Sequence, residues 1–270
     1  MPLVRDINQS FWRNSEIPWL ELRSTWRSLH AYKLHQHAQI SLGAIVEGGT
    51  CCVIDGVSFP LQVGDIVVIK AGSPHSCNPF DGVPRSYHML YLDVGWCQKI
   101  LGYGLHALVV TNPVIRNTQL FQQYLGIVEA IQHNDISVIP IAIQKLLQGI
   151  PGLKTAPSLP LRPSSQILQQ RFLASPQSPP TLDAVADEVA LCKETLIRTF
   201  KQDTGLTPGS FLNISRIEYA KSLLRQGENI VDAGNESGFA DQSHFHKTFV
   251  RYTAATPRQY ALSKSITDNN

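Results

Sequence analysis

Two His-x-His pairs stand near opposite ends of the chain: His35 and His37 in LHQHAQ, and His244 and His246 in GFADQSHFHKTF. What such a pair can do depends on the backbone beneath it. On a strand, residues i and i+2 point to the same side and can share a ligand. On a helix they point about 200° apart, and a chelating pair needs i,i+3 or i,i+4 spacing. The first pair lies in a β-rich stretch, and His75 follows in GDIVVIKAGSPHSCNP. Three neutral imidazoles, with Cys77 nearby, form a donor set for Zn or a similar divalent metal. The same His35, His37 and His75 could instead line a pocket for an organic ligand, or hydrogen-bond within the fold. These readings stay open from the residues alone. The second pair lies in a helical pattern, so its two imidazoles are not expected to share one ligand.

The elements that carry these residues change along the chain. Residues 34–94 are rich in Val, Ile and Gly, with short alternating runs such as GDIVVIKAG and YHMLYLD. Turn signals fall at 47–50, 55–56, 71–74 and 81–84, which predicts a small antiparallel barrel or sandwich. Residues 117–149 turn helical: Leu120, Phe121, Tyr124, Leu125, Val128 and Ile131 recur at i, i+3, i+4 spacing, and Pro140 opens a second helix. Those helices either cover one barrel face or form a dimer interface. The proline-rich 151–164 reads as a linker. Beyond it the pattern is all helix, with short connections. The expected fold class is therefore α+β with two domains, a β-barrel with helices in 1–150 and an all-α domain in 165–270.

The bulk composition excludes several classes. With 43% hydrophobic and 16% charged residues, the chain can bury a substantial core. No run of 18 apolar residues appears, so no membrane span is expected. The first residues lack the apolar stretch of a signal peptide, which points to a cytoplasmic protein. Five cysteines (Cys51, Cys52, Cys77, Cys97, Cys192) with no C-x-x-C pair read as reduced thiols. Residues 1–163 hold 12 basic against 10 acidic side chains, and 164–270 hold 11 against 11. Any nucleic-acid surface must therefore be built by local placement of charge. No Ser/His/Asp arrangement, phosphate loop or paired-carboxylate motif stands out, so no catalytic residue and no enzyme is expected.

The last hundred residues repeat one plan. LDAVADEVALCKETLIRTF (182–200) and IVDAGNESGFADQSHFHKTF (230–249) each read as short helix, tight turn and second helix ending in Thr-Phe, followed by GLTP (205–208) and AATP (254–257). An internal duplication of a helix-turn-helix explains this. Spacing of 100° per residue sets Phe245, Phe249 and Tyr252 on one side of the last long helix, with Ser243, Lys247 and Val250 opposite and Gln242 and His246 towards one edge. In the first unit Leu196 and Phe200 face inward, and Glu194, Arg198 and Lys201 outward. Gln and Arg can form bidentate bonds with base edges in a major groove, and Lys and Ser can reach bases or phosphates.

At these residues the chain resembles the AraC/XylS family of transcription regulators. In the second unit Gly238, Phe239, Gln242, Ser243, Phe245, Phe249, Pro257 and Tyr260 match the family signature. In the first, Ala186, Leu196, Phe200, Gly205, Leu206 and Pro208 match, followed by Arg216, Ala220, Leu223 and Leu224 on the central helix. The resemblance implies that Lys193, Glu194, Arg198, Gln242, Ser243, His246 and Lys247 contact double-stranded promoter or operator DNA. Departures are Ala190 where glycine is usual, Cys192 at a capping position, Gly234 where alanine is typical and Ala254 in place of a C-cap glycine. The N-terminal pattern resembles the cupin barrel used as a sensor by many members, although 38–43 lacks the glutamate of metal-binding cupins and Glu47 lies too far along. The resemblance thus implies an effector-controlled regulator, more often an activator, that binds a small effector inside the barrel through His35, His37, His75, Tyr87 and His88 and acts as a homodimer with RNA polymerase as a further partner. A metal-dependent cupin enzyme or a metal-sensing regulator is the alternative.

Overall fold

Alternation at 40–47 and 85–92 decides the architecture of the first unit, because a strand sends consecutive side chains to opposite faces. A computed structural model describes residues 8–80, 82–102, 107–156 and 160–262. These form two compact units, one built from residues 8–31 and 36–156, the other from 32–35 and 160–261.

The N-terminal unit runs β1 (Gln9–Arg13), β2 (Leu20–Ser28), β3 (Ile40–Glu47), β4 (Gly49–Ile54), β5 (Val57–Gln62), β6 (Ile66–Ile69), β7 (His75–Pro79), β8 (Arg85–Leu92), α1 (Val94–Leu101), β9 (Ala107–Val110), β10 (Val114–Ile115), α2 (Thr118–Gln132), α3 (Ile139–Gly149) and β11 (Leu153–Ala156). A six-stranded sheet has the order β1-β2-β8-β3-β6-β10, and a three-stranded sheet the order β5-β4-β7. All the pairings are antiparallel. The β4–β5 hairpin turns on Asp55-Gly56, both at positive φ, as a tight hairpin compatible with strand twist requires. At Gly48 a Cβ would meet the Pro84 carbonyl oxygen at 2.3 Å, so only glycine fits between β3 and β4.

The large sheet keeps its two faces chemically apart. Leu20 and Leu22 on β2, Ile40, Leu42 and Ala44 on β3, and Leu90 and Leu92 on β8 point one way, into a core with Leu120, Tyr124, Ile127, Val128, Ile131, Ile143, Leu146 and Leu147 of α2 and α3. The apolar stripes of these helices pack on the sheet, as the reading of 117–149 as a cover for the barrel expects. Tyr124 is fully buried, its hydroxyl 2.8 Å from the Leu42 carbonyl oxygen and 3.0 Å from that of His88, bridging β3 and β8. The opposite face carries Arg23, Thr25, Ser41, Gly43, Tyr87, Met89 and Tyr91. There Met89 lies across Gly43, where a Cβ would meet its Cε at 2.7 Å.

Two expectations change in detail. The stretch 151–164 is not linker throughout: Leu153–Ala156 pairs with Ala107–Val110 as a two-stranded sheet, and a helix opens at Pro163. The segment carrying His35 and His37 is not a strand. Apart from an isolated bridge at His35 it is irregular up to β3, where His35 Nδ1 bonds the Lys33 carbonyl (2.9 Å) and His37 Nδ1 that of Gln39 (3.0 Å), local bonds that compete with a ladder.

The C-terminal unit comprises α4 (Pro163–Ala174), α5 (Leu182–Glu188), α6 (Lys193–Thr204), α7 (Pro208–Arg225), α8 (Ile230–Glu236), α9 (Gln242–Thr253) and α10 (Pro257–Ala261). Arg162 opens it, its guanidinium 2.7 Å from Asp203 at the end of α6, with Ser165 2.6 Å from the same carboxylate. Leu168 and Phe172 of α4 pack with Val185, Ala186, Leu196, Phe200, Leu206, Phe211 and Ile214. Among the described residues, no helix is long and apolar enough to cross a membrane.

Burial holds two histidines of the N-terminal unit neutral. His88 Nδ1 lies 2.8 Å from Ser24 Oγ, and burial pushes its pKa down. At His30 burial is joined by repulsion from Arg85 and Arg23, again downward. With folded values depressed, the unfolded chain binds more protons once the pH falls below about 6.5, so stability is full above that pH and declines beneath it. The melting temperature should therefore drop between pH 7 and pH 5, and His88→Asn should flatten that slope in a thermal-denaturation series. A profile unchanged by the substitution would contradict the assignment.

Candidate nucleic-acid interface and barrel site

The two helix-turn-helix units are duplicated down to individual hydrogen bonds. After α5, Ala190 takes a left-handed conformation (φ 53°), with its N–H donating to Asp187 and that of Leu191 to Ala186. After α8, Gly238 does the same (φ 80°), its N–H donating to Asn235 and that of Phe239 to Gly234. This is the six-to-one closure that ends a helix and starts a turn. The far ends match as well. Thr204 Oγ1 donates to the Phe200 carbonyl and accepts from Leu206 N–H, and Thr253 does so with Phe249 and Ala255. Gly205 (φ 71°) and Ala254 (φ 45°) are the left-handed caps of α6 and α9. Thr207 then caps α7 before Pro208, and Thr256 bonds Gln259 before α10.

The unusual residues are explained by this frame. A left-handed alanine costs about 1–2 kcal/mol of steric strain at Ala190 and Ala254. Cys192 is the N-cap of α6 but gives its backbone no side-chain bond. Its sulfur lies 3.0 Å from Thr195 Oγ1, whereas Asp241 caps α9 by accepting from His244 N–H at 2.8 Å. Gly234 has a packing reason: a Cβ there would meet Phe245 Cδ1 at 2.8 Å. The equivalent pair in the first unit is Ala186 with Leu196, a larger helix residue facing a smaller partner.

Burial of one row fixes what each recognition helix shows to solvent. Leu196 and Phe200 of α6 are fully buried, as are Phe245 and Phe249 of α9, with Tyr252 nearly so. Phe239, Phe245, Phe249 and Tyr260 form a chain of rings at 5.2, 5.6 and 5.7 Å. Opposite lie exposed Glu194 and Arg198 on α6, with half-buried Lys193, and exposed Gln242, Ser243 and Lys247 on α9, with half-buried His246. Lys193 is held 2.8 Å from Asp183, an ion pair open enough to water to be exchanged readily. His244 turns to the Phe239 ring (5.3 Å), away from His246, as helical spacing dictates. Arg216 anchors the frame behind, donating to the Pro176 carbonyl at 2.8 Å.

In the barrel the structure brings together some of the expected residues and separates others. His37 and His75 both belong to this unit, whereas His35 falls in the other compact unit. The rings of His37 and His75 are 4.8 Å apart, and Tyr91 lies 5.4 Å from His37. His75 is buried, and that burial pushes its pKa down, favouring the neutral imidazole a metal or a hydrogen-bonded ligand needs. Tyr87 and His88 do not share a pocket: they are consecutive on β8 and point to opposite faces. Tyr87 faces the barrel with the two histidines, while His88 points to the helix-covered core, edge-on to Trp26. Two arginines missing from the sequence reading stand beside Tyr87. Arg85 lies 5.3 Å and Arg23 5.9 Å from its ring centre, and both are almost wholly buried. Arg23 donates to Gln9 at 2.6 Å, and Arg85 to the Cys77 and His30 carbonyls at 2.8 and 3.1 Å. For Arg85 the available signal was a basic residue at the head of the row Tyr87, Met89 and Tyr91, whereas Arg23 stands in a polar row with Glu21 and Thr25 that marked nothing out.

Residues 185–263 match the helix-turn-helix domain family, and residues 19–150 match the AraC-like ligand binding domain. This chain belongs to the AraC family of transcription regulators. The AraC-family chain is 28% identical over 252 residues to the HTH-type transcriptional activator RhaR of Shigella dysenteriae, covering 87% of this chain and 88% of that one. RhaR of Escherichia coli K12 is 27% identical over the same coverage. The fold of this chain is that of ToxT from Vibrio cholerae: one crystal structure of that protein superposes with a TM-score of 0.60 at 13% identity, covering 91% of this chain and 98% of that one. The form bound to an unsaturated fatty acid gives 0.59 at 16% identity, covering 99% and 100%.

The Gly234–Phe245 fit makes a prediction that helix propensity alone reverses. Gly234→Ala should destabilise the protein by about 1–3 kcal/mol through overpacking, although alanine is the better helix former. Adding Phe245→Leu should recover part of that loss in chemical denaturation. A single variant more stable than the parent would show that Phe245 does not set the residue at 234.

Proposed function

We propose that this AraC-family regulator is a cytoplasmic, sequence-specific DNA-binding activator, without enzymatic activity, controlled by a small effector in its N-terminal barrel. The observation that carries the reading is the pair of solvent-facing rims on α6 and α9, each backed by a buried row of Leu or Phe. Arg198 and Gln242 are the residues suited to bidentate base contacts. Lys193, Glu194, Ser243, His246 and Lys247 complete the DNA-facing set, contacting bases or orienting the helices on phosphates. Two units in one chain suit successive major grooves on one DNA face, and a homodimer would double the site. RNA polymerase is the partner that an activator requires. The similarity to RhaR, named as an activator, supports that direction.

We assign the effector to the inside of the barrel, with Tyr87, Arg23 and Arg85 on the large sheet, His75 on β7 of the small sheet, His37 on the segment before β3, and His35 as a further candidate from the sequence. His88 acts from behind the sheet rather than by contact. Guanidinium and imidazole groups together suit an effector rich in oxygen acceptors or carrying an acidic group. The effector need favour one arrangement of the protein by only a few kcal/mol to switch DNA occupancy.

The paired rings of His37 and His75 support a second reading, a metal-responsive regulator holding a divalent ion such as Zn, for which the sequence also offers His35. Residues 38–43 offer no acidic ligand, which disfavours a cupin enzyme.

Arg198→Ala and Gln242→Ala should each weaken binding to fragments the protein retains from its own genome by about 1–3 kcal/mol, roughly tenfold or more, with thermal stability nearly unchanged because both side chains are exposed. Normal affinity in either variant, by titration at fixed salt, would show that the helix face is misassigned.

A further inference from the structure

The small sheet of the barrel holds a thiol pair that neither the DNA interface nor the effector site uses. Cys52 on β4 and Cys77 on β7 are direct cross-strand partners, and their sulfurs lie 2.8 Å apart. Opposed residues of antiparallel strands have Cα atoms about 4.5–5.5 Å apart, inside the range a disulfide spans, so bridging needs no strand to move. Cys52 is fully buried and Cys77 half-buried, which gives the pair one sulfur that a small solute can reach and one that it cannot. Cys51, next in sequence, pairs with Asn78 and points to the other side of β4, so it cannot replace Cys52. The Arg85 guanidinium donates to the Cys77 carbonyl at 2.8 Å and holds that residue's backbone beside β4. The hydrogen bond with Cys77, and then burial, push the Cys52 thiol up, so Cys52 keeps its proton until it reacts.

We propose that Cys52 and Cys77 form a reversible dithiol–disulfide site that responds to hydroperoxides. The Cys77 thiolate attacks the terminal peroxide oxygen, the O–O bond breaks, and an alcohol or water leaves with a proton as Cys77 becomes a sulfenic acid. Cys52 then attacks the Cys77 sulfur. The S–S bond forms, the S–O bond breaks, and the Cys52 proton leaves with the hydroxyl as a second water. Two thiols are oxidised by two electrons and one hydroperoxide is reduced, so the exchange balances with no other reactant. The bridge fastens β4 to β7 through the barrel interior, on the strand that also carries His75. A small-molecule thiol reverses it by exchange. This inference is independent of the DNA-binding reading.

The test treats the purified full chain with hydrogen peroxide, then counts thiols and maps peptides without reduction. Two of the five thiols should disappear, in a peptide pair linking 52 to 77, and dithiothreitol should restore both. Cys51→Ser should behave as the parent, Cys77→Ser should leave the Cys52 thiol intact, and Cys52→Ser should leave a Cys77 sulfenic acid that dimedone traps. Mapping of the parent protein decides the matter even if a cysteine variant fails to fold. Retention of both thiols, over-oxidation of Cys77 without a link, or linkage only to Cys51, Cys97 or Cys192 would each overturn the proposal.

Discussion

The C-terminal unit depends on one constraint: a helix with a filled row of large side chains on one side has only the opposite side left to offer. Leu196 and Phe200 in α6, and Phe245 and Phe249 in α9, occupy that row, and their burial aims Arg198 and Gln242 outward without any specific bond to either. The left-handed turns at Ala190 and Gly238 make the aim repeatable. Each ends one helix with the same pair of hydrogen bonds and hands the chain to the next.

The C-terminal unit was largely legible in the sequence because its signals are local. Helical periodicity, Thr and Pro at helix starts, and the repeated Thr-Phe endings are set within a few residues of the positions they control. What sequence could not supply there was the reason for Gly234. Its partner Phe245 is eleven residues away, and the fit appears only when α8 packs on α9. The alanines at 190 and 254 looked like losses of the expected glycine, and the structure shows that the left-handed conformation is kept regardless.

The barrel was legible in class but less so in its site. Turns at Gly48, at 55–56 and at Gly72 follow from residue type. The placement of His35 and His37 does not, since their ring nitrogens bond the nearby Lys33 and Gln39 carbonyls and keep the segment out of the sheet. Tyr87 and His88 were grouped by sequence adjacency, and the pleat of β8 separates them. Arg23 and Arg85 were missed because a buried guanidinium depends on partners from distant strands, Gln9 for one and the Cys77 carbonyl for the other. The same pleat gives the unit its division of labour. One face of the large sheet is hydrocarbon under α2 and α3, and the other carries the groups that can recognise a ligand.

Hydroxyl-radical footprinting on a genomic fragment retained by the protein addresses the central claim most directly. Two recognition helices in one frame predict two protected patches on the same face of the duplex, about one helical turn (roughly 34 Å) apart, for each protein copy. One patch per copy, or two on opposite faces, would contradict it.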